Sequence, residues 1–446
     1  TRRSSDLEMT QTMNEPLKVA LLGCGVVGTQ VARLILEQGD DLTARIGRPL
    51  ELVGIAVRNL DRPRPEMLRP LLTTDADALV ARDDVDIVIE LIGGVADAGR
   101  LIRAAFEHGA SVVTANKALL ASEGETIFPA AERAGVDLYY EAAVAGAIPI
   151  IRPLRESLVG DAIQVVMGIV NGTTNYILDK MTTEGLDYQT ALVQAKDLGY
   201  AEADPTADVE GYDAAAKAAL LASIAFHTKV RGDSVHREGI THIVPDDIRA
   251  AKDLDCVIKL LAVANLLEDG RISVRVHPAM VPNSHPLATV GGAYNAIFVE
   301  AAAAGRLMFV GPGAGGAPTA SAVVGDLVTV ARNRARGVVG PRQSLYADRQ
   351  VAPMGALQTR YFLRFRVTDE PGVLAAVAGI FARHQISVQT VRQMPVDDVG
   401  LVDRDTAELR MTTHLATEDA VLACLAELKA SPQVRSEVRF IRVEGL

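Results

Sequence analysis

Residues 199–226, GYAEADPTADVEGYDAAAKAALLASIAF, hold the densest chemistry in the chain. Asp213 and Lys217 stand four apart and so share one helical face, and every residue from Ala218 to Ala222 is apolar. A surface ion pair normally comes with a polar face, whereas this helix is apolar nearly all round, which predicts a pair that is buried or lines a cleft. There, desolvation and a neighbouring carboxylate together tune a lysine for proton transfer. Upstream, Glu202, Asp204 and Asp208 cluster ahead of the helix, a set suited to holding an ammonium group. Carboxylates at a helix start also stabilise it through its dipole, which accounts for one or two of them but hardly for all.

A second lysine, Lys117 in SVVTANKALLA, falls just past the carboxyl end of a strand, where open parallel sheets bind ligands; the alternative is a solvated loop lysine. LKVALLGCGVVGTQVARLI places Gly23, Gly25 and Gly28 after a strand and at the mouth of a helix. That context turns a weak glycine pattern into a dinucleotide fingerprint. Gly23 allows the tight turn, Gly25 close approach to pyrophosphate and Gly28 close helix packing, with the anion at the helix N-terminus. The next strand ends ELVGIAVRN, so Arg58 holds the position where an NAD enzyme usually carries an acid. An arginine meets a 2′-phosphate with charge-assisted hydrogen bonds that an acid would forbid, which favours NADP with NAD tolerated; the alternative is a surface arginine unrelated to the cofactor.

The elements that must position these residues follow from the pattern around them. LKVALL, VARLILEQ, ELVGIAV, VDIVIEL, LIRAAFEH, SVVTAN, IFPAAERA and VDLYYEA alternate strand-like and helical runs, which predicts an α/β fold: a doubly wound parallel sheet over residues 16–146. Residues 147–334 mix longer helical stretches with strands at AIQVVMGIV, RISVRVHPAMV, AIFVEAA and RLMFVG, an α+β substrate and dimerisation domain. Its last part, residues 311–334, has a glycine-rich turn and a helix that can return to the cofactor cleft. Residues 335–359 lack periodicity and read as a linker. Residues 360–446 restart as β-α-β-β-α-β, the ferredoxin-like order, and residues 1–15 read as a disordered tail.

With 446 residues the chain is long enough for about three domains. Its net charge of −11 gives no general attraction to nucleic acid, and the basic run Arg332 to Arg336 is suited to the end of a helix, where cations complement the dipole. Cys24, Cys256 and Cys424 match neither a disulfide framework nor a metal motif, which points to a reducing cytoplasm. Nothing reads as a signal peptide or a membrane span.

The motifs GCGVVG, TANKALLA, EAAVAGAIPII, NGTTNYIL, GYAEADPTADVEGYDAAAK, HPLATVGGAYNAI and GAGGAPTA, in this order, resemble the homoserine dehydrogenase family over essentially the whole ordered chain. TDEPGVLAAVAGIFARHQISVQTVRQ looks like an ACT domain, the amino-acid-sensing module that this family often carries. The resemblance implies a Rossmann-type cofactor domain and the NAD(P)-dependent interconversion of L-homoserine and aspartate 4-semialdehyde. It makes Lys217 the proton donor, Asp213 its partner, Glu202 and Asp208 the substrate-binding groups, and Lys117 a lysine near nicotinamide and substrate. It puts Val26, Val27, Arg58, Ile92 and Gly315 at the cofactor. Glu141, Val144, Gly146 and Ile148 match a monovalent-cation site, sodium by expectation, built largely from backbone carbonyls. A homodimer or homotetramer is expected, with L-threonine as effector near Asp369 and Gly372, completed by a partner subunit's strand such as the one bearing Gln393. With no kinase-like extension ahead of the fingerprint, a monofunctional member is expected.

Two rivals stand beside this reading. A semialdehyde dehydrogenase making an acyl phosphate needs a nucleophilic cysteine, but Cys24 lies in the phosphate loop, and Cys256 and Cys424 sit in helical patterns with no matching histidine motif. A non-catalytic amino-acid sensor has no use for the Lys117, Asp213 and Lys217 set.

Overall fold

The structure, a computed structural model, describes residues 15–398 and 401–445. The expected tail, apart from its last residue, lies outside the described residues. The chain forms two compact units, one from residues 15–172, 213–235 and 294–349, the other from residues 173–212, 236–293 and 350–445.

In the first unit β1 (Leu17–Leu22), β2 (Leu50–Ala56), β3 (Leu72–Thr73), β4 (Ile87–Glu90), β5 (Ser111–Thr114) and β6 (Leu138–Tyr139) pair in parallel, in the order β3-β2-β1-β4-β5-β6. This is the doubly wound order expected, with its reversal between β1 and β4. Helices α1 (Val26–Glu37), α2 (Gly39–Ile46), α3 (Ala76–Val80), α4 (Ala96–Glu107) and α5 (Lys117–Ala134) provide the connections that parallel strands require. All four residues of β4, IVIE, are buried, as a strand covered on both faces demands. Helix α1 turns Gly28, Val31, Ala32 and Ile35 inward at helical spacing, and its apolar members pack with Val19, Leu21, Ile87 and Ile89. After α6 (Ala142–Ala145) and β7 (Ile163–Ile169), the unit takes up β11 (Tyr294–Ala301), which pairs antiparallel with both β7 and β12 (Gly305–Pro312). Helix α12 (Gly316–Arg336) then runs back against α1 and α2, burying Val323, Leu327 and Val330 in the same core.

The second unit holds α7 (Gly172–Thr183), α8 (Tyr188–Asp197), α9 (Thr206–Val209), β8 (His236–Arg237), α11 (Pro245–Asp253) and the antiparallel pair β9 (Cys256–Leu266) and β10 (Ile272–Pro282). Here the expectation for Cys256 fails: it opens strand β9 rather than sitting in a helix. The run CVIKLLAVANL is apolar without alternation, and such a run does not distinguish a strand covered on both faces from a buried helix.

The unit ends in β13 (Gln358–Thr368), α13 (Val373–Arg383), β14 (Val388–Asp398), β15 (Leu401–Thr413), β16 (Ala416–Thr417), α14 (Glu418–Ala430) and β17 (Arg439–Val443). The sheet order β17-β13-β15-β14 is ferredoxin-like, and Tyr361, Phe365, Val377, Phe381, Leu409 and Leu425 share its core. This sheet continues beyond its own domain: β17 pairs in parallel with β10, Ala279 opposite Arg442 and Met280 opposite Val443. Between Arg336 and Met354 the expected linker carries no helix or strand. Val351 bridges to Ile272. Within the first unit Gly340 N–H donates to Asp137 at 2.7 Å and the Tyr140 hydroxyl to Gln343 at 2.7 Å.

Candidate active site

The glycine fingerprint is built as its spacing demands. Gly23 turns at φ +100°, and a Cβ there would lie 2.7 Å from the Leu91 carbonyl oxygen at the end of β4. At Gly28 a side chain would collide with the Gly23 carbonyl, whereas nothing lies within 4 Å of a Cβ at Gly25, so that glycine leaves its backbone open to a ligand. Gly23, Gly25, Arg58 and Ile92 line one open cleft of about 410 Å³, together with Arg62 and Arg64, which the sequence reading passed over. Arg64 hydrogen-bonds the Asn59 and Arg62 carbonyls at 2.9 and 3.2 Å and so holds the loop after β2 in shape. Val26 and Val27 begin α1, and Gly315 caps α12 at φ +124°. A Cβ at Gly316 would lie 2.8 Å from Val26 Cγ1, so two helix N-termini converge beside the fingerprint, a natural seat for a pyrophosphate.

Two side chains missed in the sequence shape the rim of this region. The Glu90 carboxylate, fully buried, accepts hydrogen bonds from Ile92 N–H at 2.9 Å, Gly93 N–H at 3.1 Å and the Thr114 hydroxyl at 2.6 Å. Asn116 caps α5 through Leu119 N–H and donates to the Gly94 carbonyl at 2.6 Å. Its place just before KALLA is a cap signal that the sequence offered.

Lys117, the first residue of α5, ion-pairs with Asp213 Oδ1. Asp213 is the second residue of α10 (Tyr212–Ala225), and its other oxygen, Oδ2, lies 2.7 Å from Lys217 Nζ. Lys217 also donates to the Val170 carbonyl at 2.7 Å, and Asn171 Nδ2 donates to Asp213 Oδ2 at 3.0 Å. Asp213 and Lys217 are both buried. Burial alone would raise the Asp213 pKa, but Lys217 and Lys117 outweigh it and hold the carboxyl well below the usual range. One carboxylate thus aligns two ammonium groups at the carboxyl end of the sheet, an arrangement that can deliver a proton to a developing alkoxide.

In the second unit, Asp208 accepts a 3.3 Å hydrogen bond from the Thr173 hydroxyl, which also donates to the Tyr200 carbonyl at 2.6 Å. Asp204 accepts from the Thr206 N–H and hydroxyl, so it serves the start of α9. Glu202 is exposed and, among the described residues, forms no ion pair.

Around EAAVAGAIPII, the Glu141 carboxylate is occupied by the N–H groups of Ile150, Ile151 and Arg152 at 2.5, 2.7 and 2.9 Å. It is not the donor a cation would find there. Gly146 makes its turn at φ +59°. Outside regular helices and strands, no backbone N–H among the described residues donates to the carbonyls of Val144, Gly146 or Ile148. Hard carbonyl oxygens of this kind fit a monovalent cation. No three His, Cys, Asp or Glu side chains converge as metal ligands among the described residues.

Gly372 caps α13 at φ +96°, and Asp369 lies three residues before it. Gln393 of the same chain donates to Asp369 Oδ1 at 2.7 Å. Burial pushes the Cys256 thiol up to about 11 and the Cys424 thiol up to about 12, which leaves neither a thiolate near neutral pH. No helix among the described residues is long and apolar enough to cross a membrane.

Comparison with known proteins agrees with this geometry. Residues 149–328 match the homoserine dehydrogenase family, residues 23–141 the NAD-binding domain of homoserine dehydrogenase, and residues 361–432 the ACT domain. The chain is 56% identical to the homoserine dehydrogenase of Mycobacterium tuberculosis over 97% of this chain and 98% of the relative. It is 54% identical to that of Corynebacterium glutamicum over 96% and 95%. The crystal structure of a homoserine dehydrogenase from Thiobacillus denitrificans superposes with a TM-score of 0.88 at 40% identity, covering 97% of this chain and 99% of that one. A hyperthermophilic archaeal homoserine dehydrogenase in complex with NADPH superposes with a TM-score of 0.60 at 27% identity, covering 71% and 98%. The chain belongs to the homoserine dehydrogenase family and is an NAD(P)-dependent oxidoreductase with a C-terminal ACT domain.

Proposed function

We propose that Lys217 is the proton donor and acceptor of the reaction, with Asp213 as its partner and Lys117 completing the array. The nicotinamide cofactor, when bound, supplies the hydride in one direction and accepts it in the other. In reduction of aspartate semialdehyde, the Lys217 ammonium protonates the carbonyl oxygen as it becomes an alkoxide. In oxidation of homoserine, neutral Lys217 takes the hydroxyl proton. Asp213 and the Val170 carbonyl hold the amine in place, so little reorganisation accompanies proton transfer. Glu202 and Asp208 bind the substrate's ammonium group.

Arg58 meets the adenosine 2′-phosphate and gives a preference for NADP, with NAD accepted. Carbonyls of Glu141, Val144, Gly146 and Ile148 hold a sodium ion that fixes the turn after α6. The enzyme works in the cytoplasm as a homodimer or homotetramer, and L-threonine inhibits it through Asp369, Gly372 and Gln393.

The observation that carries the catalytic reading is the buried Lys217, gripped by Asp213 Oδ2 and the Val170 carbonyl. Steady-state kinetics of Lys217→Ala test it: kcat should fall about 10² to 10⁴-fold with cofactor KM nearly unchanged, the range for loss of a positioned general acid. Near-normal turnover would remove Lys217 from the chemistry.

A further inference from the structure

Residues 170 and 171 grip both halves of one ion pair. The Val170 carbonyl accepts from Lys217 Nζ at 2.7 Å, and the side chain of the next residue, Asn171, donates to Asp213 Oδ2 at 3.0 Å. That same oxygen is the one that lies 2.7 Å from Lys217 Nζ. Asn171 is buried, 5% exposed, and stands between β7 and α7, 42 residues from its partner in sequence. The orientation of its amide is fixed by chemistry, because an ionised carboxylate only accepts and so only the NH2 group can face it.

We propose that Asn171 is a positioning residue that sets the proton affinity of Lys217 by sharing its carboxylate partner. This rests on the reading of Lys217 as proton donor. A carboxylate oxygen that already receives an N–H from Asn171 has less charge to offer the ammonium, and in a buried site this division is felt strongly. Without Asn171 the charge of Asp213 concentrates on Lys217, which then holds its proton more tightly. It becomes a poorer acid in reduction and needs a higher pH to act as base in oxidation. Within this unit Lys217 faces Asp213 on its own helix and, through the other oxygen of Asp213, Lys117 from α5. The segment between β7 and α7 contributes two neutral groups, the Val170 carbonyl and the Asn171 amide. Asn171 is thus a neutral donor on this carboxylate that does not itself titrate.

The test is the pH profile of kcat for homoserine oxidation with NADP as cofactor, in wild type, Asn171→Leu, Asn171→Ala and Lys217→Ala. The midpoint of the rising limb should move up by about half a unit to one unit in Asn171→Leu, the scale of one lost hydrogen bond. In Asn171→Ala, where water can refill the site and donate in place of the amide, the shift should be smaller but in the same direction. If Asn171→Leu does not fold, the Ala variant gives the same reading. Midpoints unmoved, with activity lowered equally at every pH, would leave Asn171 a purely structural role and overturn the proposal. A Lys217→Ala enzyme that keeps the wild-type rising limb would instead overturn the assignment of Lys217, and the inference with it.

Discussion

Arg442 donates to both oxygens of Glu238, at 2.8 and 2.7 Å, from a position where its side chain is only 2% exposed. The same guanidinium hydrogen-bonds Glu418, which also receives the Tyr361 hydroxyl at 2.6 Å. Arg442 lies on β17 of the ACT domain and Glu238 directly after β8, so a buried cation fastens the ACT fold to the rest of its unit. Nearby, Glu444 pairs with Arg275 of β10 at 2.7 Å. Arg439 and Arg364 both reach Asp247 of α11, at 2.7 and 3.0 Å.

Removing Arg442 leaves the buried Glu418 without its cation, while Glu238 keeps its contact to His236 at 2.8 Å, and breaking a buried pair in this way costs about 3–5 kcal/mol. Arg442→Met should therefore lower the thermal midpoint on the order of 10 °C for a unit of this size. Adding Glu418→Gln should recover part of the loss, because it removes the stranded charge. A single variant that melts with the wild type would show that strand pairing alone holds the domain.

The sequence shows this arrangement only in part, and the division follows from the range of the forces involved. Gly23, Gly25 and Gly28 are legible because backbone conformation and close approach restrict the residue type at each position. Lys217 and Asp213 are legible because a charged pair on an apolar helix needs explaining. The pairing of β17 with β10 joins segments far apart in the chain, and no local pattern encodes it. The contacts of Asn171 and of the Glu141 carboxylate are hidden for the same reason: each spends its side chain on groups whose proximity only the fold creates. Cys256 is misread because an unalternating apolar run carries no period to read.

Arg58 gives the second prediction. It is exposed, it lines the cleft of the glycine fingerprint, and among the described residues it has no ion-pair partner to lose. Arg58→Asp should shift preference from NADP towards NAD, acting through cofactor KM more than kcat, because an acid accepts from ribose hydroxyls and repels a 2′-phosphate. Arg62 and Arg64 line the same cleft, so NADP use should be weakened rather than abolished. The measurement is the ratio of kcat/KM for the two cofactors. A ratio equal to that of the wild type would place Arg58 away from the adenosine ribose.

Threonine inhibition gives the last. Gly372 begins α13, whose free N–H groups offer a seat for the effector's carboxylate, while Asp369, held by Gln393 at 2.7 Å, is available to its ammonium group. The ACT fold belongs to the same compact unit as Glu202 and Asp208, and its strand β17 is paired with β10. A bias imposed at Asp369 therefore falls on the body that carries the carboxylates proposed to bind substrate, whereas Gly23, Gly25 and Arg58 belong to the other unit. Because an effector shifts an equilibrium only by its differential affinity for two states, the state favoured by threonine should be one that binds the amino-acid substrate less well. Threonine should accordingly raise the KM for homoserine several-fold and leave the KM for NADP nearly unchanged. Gln393→Leu, which frees the Asp369 side chain, should weaken inhibition about tenfold, the loss expected for one hydrogen bond to a charged group. Its activity without threonine should match the wild type. Calorimetry on the full chain separates binding from coupling. A threonine effect confined to the cofactor KM would refute this route, as would full inhibition in Gln393→Leu.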